Sequence, residues 1–412
     1  MEMQELKVAI IGYGNRGKLF ADIIRTTPTL MGKVVAVVET REVRREEAKK
    51  QTGLPDEMIF SNLDDFLKLG KIADAAFVMT MDKDHIHQVI PLMKAGYHVL
   101  LEKPMAVDLD ECKEIAKVQR ETGVISSVCH SLRHNNFYSG VKRIIDSGRI
   151  GKVMNIDQIE GIGDIHFSSS YIRGNWGVEE KSSFILMAKC CHDVDLIGYL
   201  LGKKCKKASS FGSLSYFKPE FAPKDAPARC LDGCPYINKC QYNCLKVYLR
   251  DGWAIVLPKQ DEESIMEELK TGPYGRCIWH CDNNVCDHQV VAMEFEGGET
   301  ATLTLTAFHY GNRIMRVNGT LGCLECNLLT NTVKLYDFTT RNEETIVIPP
   351  AGVIGHGGGD FLVVQNLFEA IRKNDASIIL TDIQESLASH TTVFAAEKSR
   401  RESRVVEISE LE

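Results

Sequence analysis

The chain has 412 residues, 44% hydrophobic and 25% charged, which is ordinary for a globular enzyme of two or three domains. Its formal net charge of -7 offers no basic footprint, so neither nucleic acid nor an acidic membrane surface is an expected partner. No segment approaches the roughly 20 apolar residues of a membrane helix, and no signal-peptide pattern opens the chain, so the expected location is the cytosol.

Residues 6–11 (LKVAII) form an apolar run of strand length, as in a strand buried on both faces of a parallel sheet. Gly12, Gly14 and Gly17 follow at once and open an amphipathic stretch over 18–25. A second strand, 33–38, ends at Glu39, 22 positions after the last glycine. A strand, a Gly-x-Gly-x-x-Gly turn, a helix and a second strand ending in an acid mark a dinucleotide site. Gly12 permits the turn, Gly14 lets backbone approach the pyrophosphate, and Gly17 lets the helix pack on the sheet. Tyr13, Asn15 and Arg16 share the loop, whose free N–H groups hold phosphate. Glu39 would accept hydrogen bonds from the adenosine ribose and repel a 2′-phosphate, which favours NAD over NADP. Thr40 and Arg41 adjoin it, and Arg41 is the residue that could pair with such a phosphate.

Further along, 41–52 reads as a surface helix, 73–79 as a third strand, 87–95 as a helix, and 97–101 as a fourth strand. Residues 110–122 read as a helix and 124–128 as another strand, so the spacing predicts a doubly wound parallel sheet. Residues 183–201 read as a helix preceded by capping serines and followed by Gly202. Lys189, His192 and Asp193 share one face of it by helical spacing, where Lys189 could hold His192 neutral. Tyr171, Arg173, Asn175 and Trp176 suit a sugar, with hydrogen bonds to hydroxyls and a ring to stack on, or else a structural loop around a buried tryptophan. Arg133, His130, His356 and Asp360 are weaker pocket candidates, the last two beside a glycine run before a helix expected near Phe361.

Fourteen cysteines are many for a cytosolic chain, and there they are expected as thiols or metal ligands. Cys230, Cys234, Cys240 and Cys244 lie in a proline-rich insertion near 218–250 and could clamp a structural zinc. Their spacing matches neither a standard zinc ribbon nor an iron–sulfur pattern, and reduced loop thiols are the alternative. A second group, Cys277, His280, Cys281, Cys286 and His288, follows some way on.

With the glycine loop, the run LMKAGYHVLLEKPMAVD over 92–108 resembles the Gfo/Idh/MocA oxidoreductases. So do Thr80 to His85 (TMDKDH), a cofactor loop; SGRIG over 147–151, a link into a second domain; HDVD over 192–195, the catalytic helix; and the tail over 382–408. The resemblance implies a Rossmann domain over 1–128 and an α+β domain over 129–412. The latter would hold a large, mostly antiparallel open sheet, a homodimer or homotetramer contact on its outer face, and a C-terminal helix returning toward the Rossmann domain. Residues 290–295, 300–308 and 313–318 agree, being rich in β-branched residues, with Gly297 and Gly298 as a hairpin turn. The resemblance implies Glu102, Lys103 and Pro104 at the nicotinamide end, with Lys103 orienting a substrate hydroxyl. The typical family helix carries an aspartate four residues before the histidine; here Ala188 stands there, so the base could be His192 or Lys189. The expected activity is NAD-dependent oxidation of a sugar or cyclic polyol. The alternatives are redox-neutral glycoside cleavage on tightly held NAD and a non-catalytic NAD sensor.

Overall fold

The computed structural model describes residues 4–257, 259–352 and 355–412. Among these, the first part alternates β1 (Leu6–Ile11), α1 (Asn15–Thr26), β2 (Gly32–Val38), α2 (Glu42–Thr52), β3 (Ile59–Phe60), α3 (Leu63–Leu67), β4 (Ala75–Val78), α4 (His85–Lys94), β5 (His98–Leu101), α5 (Leu109–Thr122) and β6 (Ser126–Val128). The strands are parallel, in the order β3-β2-β1-β4-β5-β6. Strand order reverses between β1 and β4, where an open sheet of this kind takes its ligand. Val8, Ile10 and Phe77 pack with Phe20 and Ile24 on one face, while Ala9, Ile11 and Val78 pack with Leu92 and Ile115 on the other. Burial on both faces is why these strands read as unbroken apolar runs. The strand expected over 73–79 is β4, preceded at the sheet edge by a two-residue β3 too short to leave a pattern.

The second part runs α6 (Ser131–His134), α7 (Asn136–Asp146), β7 (Val153–Gly161), α8 (Asp164–Phe167), α9 (Ile185–Leu201), β8 (Cys205–Ser213), α10 (Glu262–Thr271), β9 (His288–Phe295), β10 (Thr300–Thr306), β11 (Asn312–Gly319), β12 (Gly322–Asn327), β13 (Thr332–Asp337), β14 (Glu343–Val347), α11 (Gly359–Lys373), α12 (Ile383–Glu402) and β15 (Val406–Glu407). Among the described residues, nine strands make a second sheet in the order β14-β13-β12-β11-β7-β10-β9-β8-β15. Its pairs are antiparallel except for β7 beside β10. Met293, Leu303, Leu305 and Val317 on its inner face pack with Val194 and Ile197 of α9 and Val393 of α12. The outer face exposes Ile159, Val290 and Thr302. α11 and α12 turn back to the first sheet: Leu367 and Phe368 join the core around α1, and Ile383 joins the core on the opposite face. No helix among the described residues is long and apolar enough to cross a membrane.

Two details differ from expectation. Serine does not cap α9: Phe184 is the N-cap and its side chain makes no capping bond, while Gly202 does end the helix at φ +62. The insertion is larger than 218–250. It fills the chain from the end of β8 to the start of β9 and has its own small core of Val247, Tyr248, Ile265 and Leu269.

Candidate active site

Gly12 takes φ +89, and a Cβ there would lie 2.7 Å from Thr80 Cγ2. A Cβ on Gly17 would lie 2.0 Å from the carbonyl oxygen of Gly12. α1 therefore starts hard against the loop. Gly14 is its N-cap and brings no side chain to the open N–H groups of the first turn, which is a phosphate cradle. Gly17→Ala must push backbone apart. It is expected to cost about 1–3 kcal/mol in urea unfolding and to weaken dinucleotide binding, read by titration.

Glu39 follows β2, buried at 6% exposure, over the glycine loop. Its Oε2 accepts the Tyr13 N–H at 2.8 Å and its Oε1 the Arg41 N–H at 2.9 Å. Thr40 Oγ1 donates to the same carboxylate at 3.4 Å, and Arg44 Nη1 stands 4.0 Å away. Tyr13 brings backbone only, since its ring is in the core and its hydroxyl donates to Gln51 at 2.9 Å. Asn15 donates to the Ile255 carbonyl at 3.0 Å, so the insertion reaches over the loop. Arg16 is bound to carboxylates: it pairs with Glu102 and makes a double bond set to Asp360 at 2.8 and 2.9 Å. Burial would raise the Asp360 carboxyl, but hydrogen bonds from Arg16 and His356 outweigh it and hold the group far below the usual carboxylate range. Asp360 and His356 thus fasten α11 to the glycine loop, and the glycine run offers Arg16 a carboxylate rather than offering an anion a cradle.

Glu102, Lys103 and Pro104 leave β5 at its C-terminal end. The Lys103–Pro104 peptide is cis, the Pro104 carbonyl accepts from His85 Nδ1 at 2.8 Å, and Glu102 accepts the Lys103 N–H at 2.9 Å. The Lys103 ammonium crosses to α9 and donates to the Ala188 carbonyl at 2.8 Å. His192 lies one turn further along α9 on the same side. It is 3% exposed, and among the described residues neither ring nitrogen has a partner. Its ring is 5.5 Å from those of His130 and His356, and His130 is 5.5 Å from His390. Burial, then the charge of Lys103, push His192 well below the usual imidazole value, so it is neutral.

Lys189 is not the cause of that neutrality, because α9 divides its residues between two sides. Lys189 pairs with Glu160 at 3.2 Å, and Asp193 accepts from Arg313 at 2.8 Å and from Gln158. Both therefore face β7 and β11, while His192 faces His130 at the start of α6 and His356. Asp195 takes the two-pronged guanidinium of Arg133 at 2.7 Å on both oxygens, so Arg133 clamps α6 to α9. Trp176 Nε1 donates to the buried Asp82 at 3.1 Å in the loop after β4, where Thr80 Oγ1 donates to Gln88 at 2.7 Å. Asn175 is exposed at the rim near Met81, 3.9 Å from its sulfur. Tyr171 is buried beside Trp176 at 6.4 Å and His166 at 6.0 Å. Arg173 turns away into the insertion, donating to the carbonyls of Arg276 and Tyr242 at 2.8 Å.

The sequence reading had no place for His166 or Asp82. His166 sits on the four-residue α8 against Trp253 at 5.4 Å, pushed down to about 3 by burial and by the charges of Lys189, Arg313 and Lys103. Asp82 is raised by burial. Only the TMDKDH run, which contains Asp82, carried any signal. Cys230, Cys234, Cys240 and Cys244 do not close on one ion: among the described residues no three His, Cys, Asp or Glu side chains are grouped to hold a metal. All fourteen cysteines are free thiols.

Residues 6–130 match the description "Oxidoreductase family, NAD-binding Rossmann fold", and residues 138–325 match "GFO/IDH/MocA C-terminal domain". The chain belongs to the Gfo/Idh/MocA oxidoreductase family. The YteT protein of Bacillus subtilis (strain 168) is 24% identical over 331 residues, covering 74% of each chain. A scyllo-inositol 2-dehydrogenase (NAD(+)) of the same organism is 26% identical over 216 residues, covering 51% of this chain and 58% of its own. Among solved structures, levoglucosan dehydrogenase in complex with NADH and levoglucosan superposes with a TM-score of 0.73 at 15% identity, covering 98% of this chain and all of the other. An Agrobacterium radiobacter oxidoreductase in complex with NAD+, L-tartaric acid and magnesium superposes with a TM-score of 0.74 at 14% identity, covering 99% and 100%. At such identities the superpositions speak for the fold.

The glycine loop of this Gfo/Idh/MocA chain fits the dinucleotide that the family's first domain binds. The close approach of Gly17 to Gly12 leaves no room for a side chain, and the bare Gly14 N-cap leaves the first-turn N–H groups to phosphate. Glu39 accepts two backbone N–H groups beside that loop.

Proposed function

We propose that the protein is an NAD-dependent dehydrogenase acting on a secondary hydroxyl of a cyclic polyol or sugar. The observation that carries this reading is the pairing at the mouth of the first sheet: the Lys103 ammonium beside Ala188, and one turn on, a buried neutral His192 with both ring nitrogens free. Buried polar atoms without partners are rare, and in a cleft they are the atoms a ligand satisfies. The named activities of the inositol and levoglucosan relatives support the substrate class.

NAD, when bound, supplies the hydride acceptor. The first-turn N–H groups beyond Gly12, Gly14 and Gly17 would hold its phosphates, Glu39 with Thr40 and Arg41 its adenosine ribose, and Thr80, His85, Glu102 and Pro104 line the way to Lys103. Glu39 selects NAD over NADP, because its carboxylate repels a 2′-phosphate. Lys103 orients the substrate oxygen and stabilises negative charge as it develops there. His192 accepts the hydroxyl proton, a role open to it because it is neutral. Lys189, ion-paired with Glu160, is left as a charge on the sheet side. Tyr171 and Trp176 supply apolar ring surface, with Asn175 at the rim. Arg133, Arg173 and Asp193 act by holding the wall rather than the sugar.

His166 favours a second reading. It is a further neutral imidazole among Lys103 and Lys189, and redox-neutral cleavage of a glycoside needs such an additional base for the carbon acid. The two chemistries separate in one assay. The protein is mixed with NAD, then NADP, across a panel of cyclic polyols, anhydro sugars and glycosides, following nicotinamide absorbance and released sugar. Accumulating NADH with a polyol or sugar supports the dehydrogenase. Released sugar without NADH replaces it with the redox-neutral enzyme. Tight NAD binding with neither product leaves a sensor. We also assign the outer face of the second sheet, with Ile159 and Val290 exposed, to a homodimer or homotetramer contact, and the cytosol as its place of action.

A further inference from the structure

We propose that His356 is the exit for the reaction proton, taking it over from His192 and releasing it to solvent. The inference rests on His192 as acceptor of the substrate's hydroxyl proton. Oxidising a secondary alcohol breaks its C–H and O–H bonds. The C–H electron pair leaves with the hydride to NAD, the O–H pair becomes the second carbonyl bond, and one proton is left over. His192 is a poor resting place for that proton. It is buried, and the charges of Lys103 and Arg313 act on it together with the imidazoles of His130 and His356, so its charged form is disfavoured. Each turn therefore needs a path out.

His390, His130, His192 and His356 form a chain in which each ring centroid lies 5.5 Å from the next. Its two ends differ. His390 is buried, its Nε2 accepts the Met105 N–H at 3.0 Å, and its Nδ1 donates to the Ser386 carbonyl at 2.7 Å. A neutral imidazole has one donor and one acceptor, so His390 has no lone pair left to offer. His130, before it, is buried and pushed down to about 4. A proton sent in that direction is stopped. His356, at the other end, has 33% of its side chain exposed. Its Nδ1 lies 3.1 Å from both oxygens of Asp360, whose carboxyl Arg16 and His356 hold far below the usual range. An ionised carboxylate only accepts, so Nδ1 is the donor and Nε2 the basic atom. A proton arriving on Nε2 makes an imidazolium paired with a carboxylate and open to water.

The loop spends conformational freedom on placing this ring. His356 takes φ +45 between Gly355 and Gly357, a backbone state uncommon outside glycine, and Asn135 Nδ2 donates to its carbonyl at 2.6 Å. Asp360 does not need an imidazole for its own sake, since Arg16 gives it two hydrogen bonds and Ser131 another. The His192 and His356 rings share no direct hydrogen bond, and one water spans such a gap. His192 takes the hydroxyl proton on one nitrogen and gives up a proton from the other. His356 takes that proton on Nε2 and loses it to solvent, and both imidazoles end the turn neutral.

His356→Asn tests the relay. Asparagine tolerates the left-handed region and its amide can donate to Asp360, so the loop is kept and only the base is lost. On the substrate found by the panel assay, in dilute buffer, kcat is expected to fall by about 10²-fold, the lower end for a proton-handling group. KM and NAD affinity should change little, and imidazole added to the solution should restore kcat. His356→Gln, which differs in reach, should behave alike. A second readout needs no turnover: nuclear magnetic resonance of protein labelled in its histidines follows exchange of the His192 ring proton with solvent, the signal being the one lost in His192→Phe. Exchange should slow in His356→Asn, recover with imidazole, and stay unchanged in His134→Gln. An unchanged exchange rate, or a fall in kcat that imidazole does not restore, overturns the relay, and NADH accumulating with the parent protein then leaves the dehydrogenase standing. Slowed exchange rescued by imidazole, with no turnover across the panel, sustains the proton path and removes the dehydrogenase.

Discussion

Lys103→Met is expected to lower kcat by about 10²–10⁴-fold, the usual range for removing a positioned proton-handling group, while NAD affinity changes little. Methionine keeps an unbranched apolar stem of similar length, so packing near Pro104 survives. What goes is the ammonium at 2.8 Å from the Ala188 carbonyl, a positive charge carried from the end of β5 to α9 one turn from His192. Leaving that carbonyl without its lysine is cheap, because in mid-helix it retains its backbone bond. Lys103→Arg should fail to rescue turnover, since a planar fork cannot occupy the place of a point charge. Steady-state kinetics on the substrate found by the panel assay, with calorimetric titration of NAD, check both halves. A fall in NAD affinity that matches the fall in kcat/KM would move Lys103 from substrate oxygen to cofactor, and unchanged kcat would remove it from the chemistry.

The parts of this site legible in the sequence are those that local chain geometry dictates. Gly12, Gly14, Gly17 and Glu39 belong to one βαβ unit, where the turn, the helix start and the next strand end are fixed within a short stretch, so spacing alone places them. Lys103 and His192 stood out from strand end and helical spacing but were ambiguous there, since a lysine after a strand and a histidine in an apolar helix have ordinary structural explanations, and the resemblance is what tipped the balance.

What escaped depends on long-range pairing. Glu160 on β7 and Arg313 on β11 sit beside each other because those strands pair in a particular register, and that pairing draws Lys189 and Asp193 to the sheet side of α9. Helical spacing groups Lys189, His192 and Asp193 on one broad face; packing against a sheet on one side and α6 on the other divides that face. Arg173 looked like a sugar ligand because it precedes Asn175 and Trp176. The π-turn over Ser168–Ile172 leads the chain so that its guanidinium enters the insertion while Trp176 faces Asp82. His166, on a helix of one turn, had no periodicity to announce it.

The other large expected effect is on stability in acid. Burial pushes His130 and His134 down to about 4, and His166 and His390 down to about 3. An unfolded imidazole titrates near 6.5, so below that pH the unfolded chain binds protons that the folded chain refuses. Stability is therefore full above pH 6.5 and falls as pH drops from there through the folded values. Each such histidine adds a slope of about 1.4 kcal/mol per pH unit. Four together give about 5–6 kcal/mol per unit, against a total stability that is typically about 5–15 kcal/mol. Asp82 and Asp193, both raised by burial, oppose this by taking up protons in the folded state. They offset at most two of the four, and Asp195 and Asp360, both held low, add to the loss at still lower pH. Urea unfolding followed by fluorescence from about pH 7.5 to about pH 5 should show a steep fall beginning near 6.5. His134 has no part in the proposed chemistry, so His134→Gln should remove one proton from that slope. A stability that stays flat down to pH 5 would mean that these imidazoles take up protons in the folded chain as readily as in the unfolded one, and burial would then no longer account for a neutral His192.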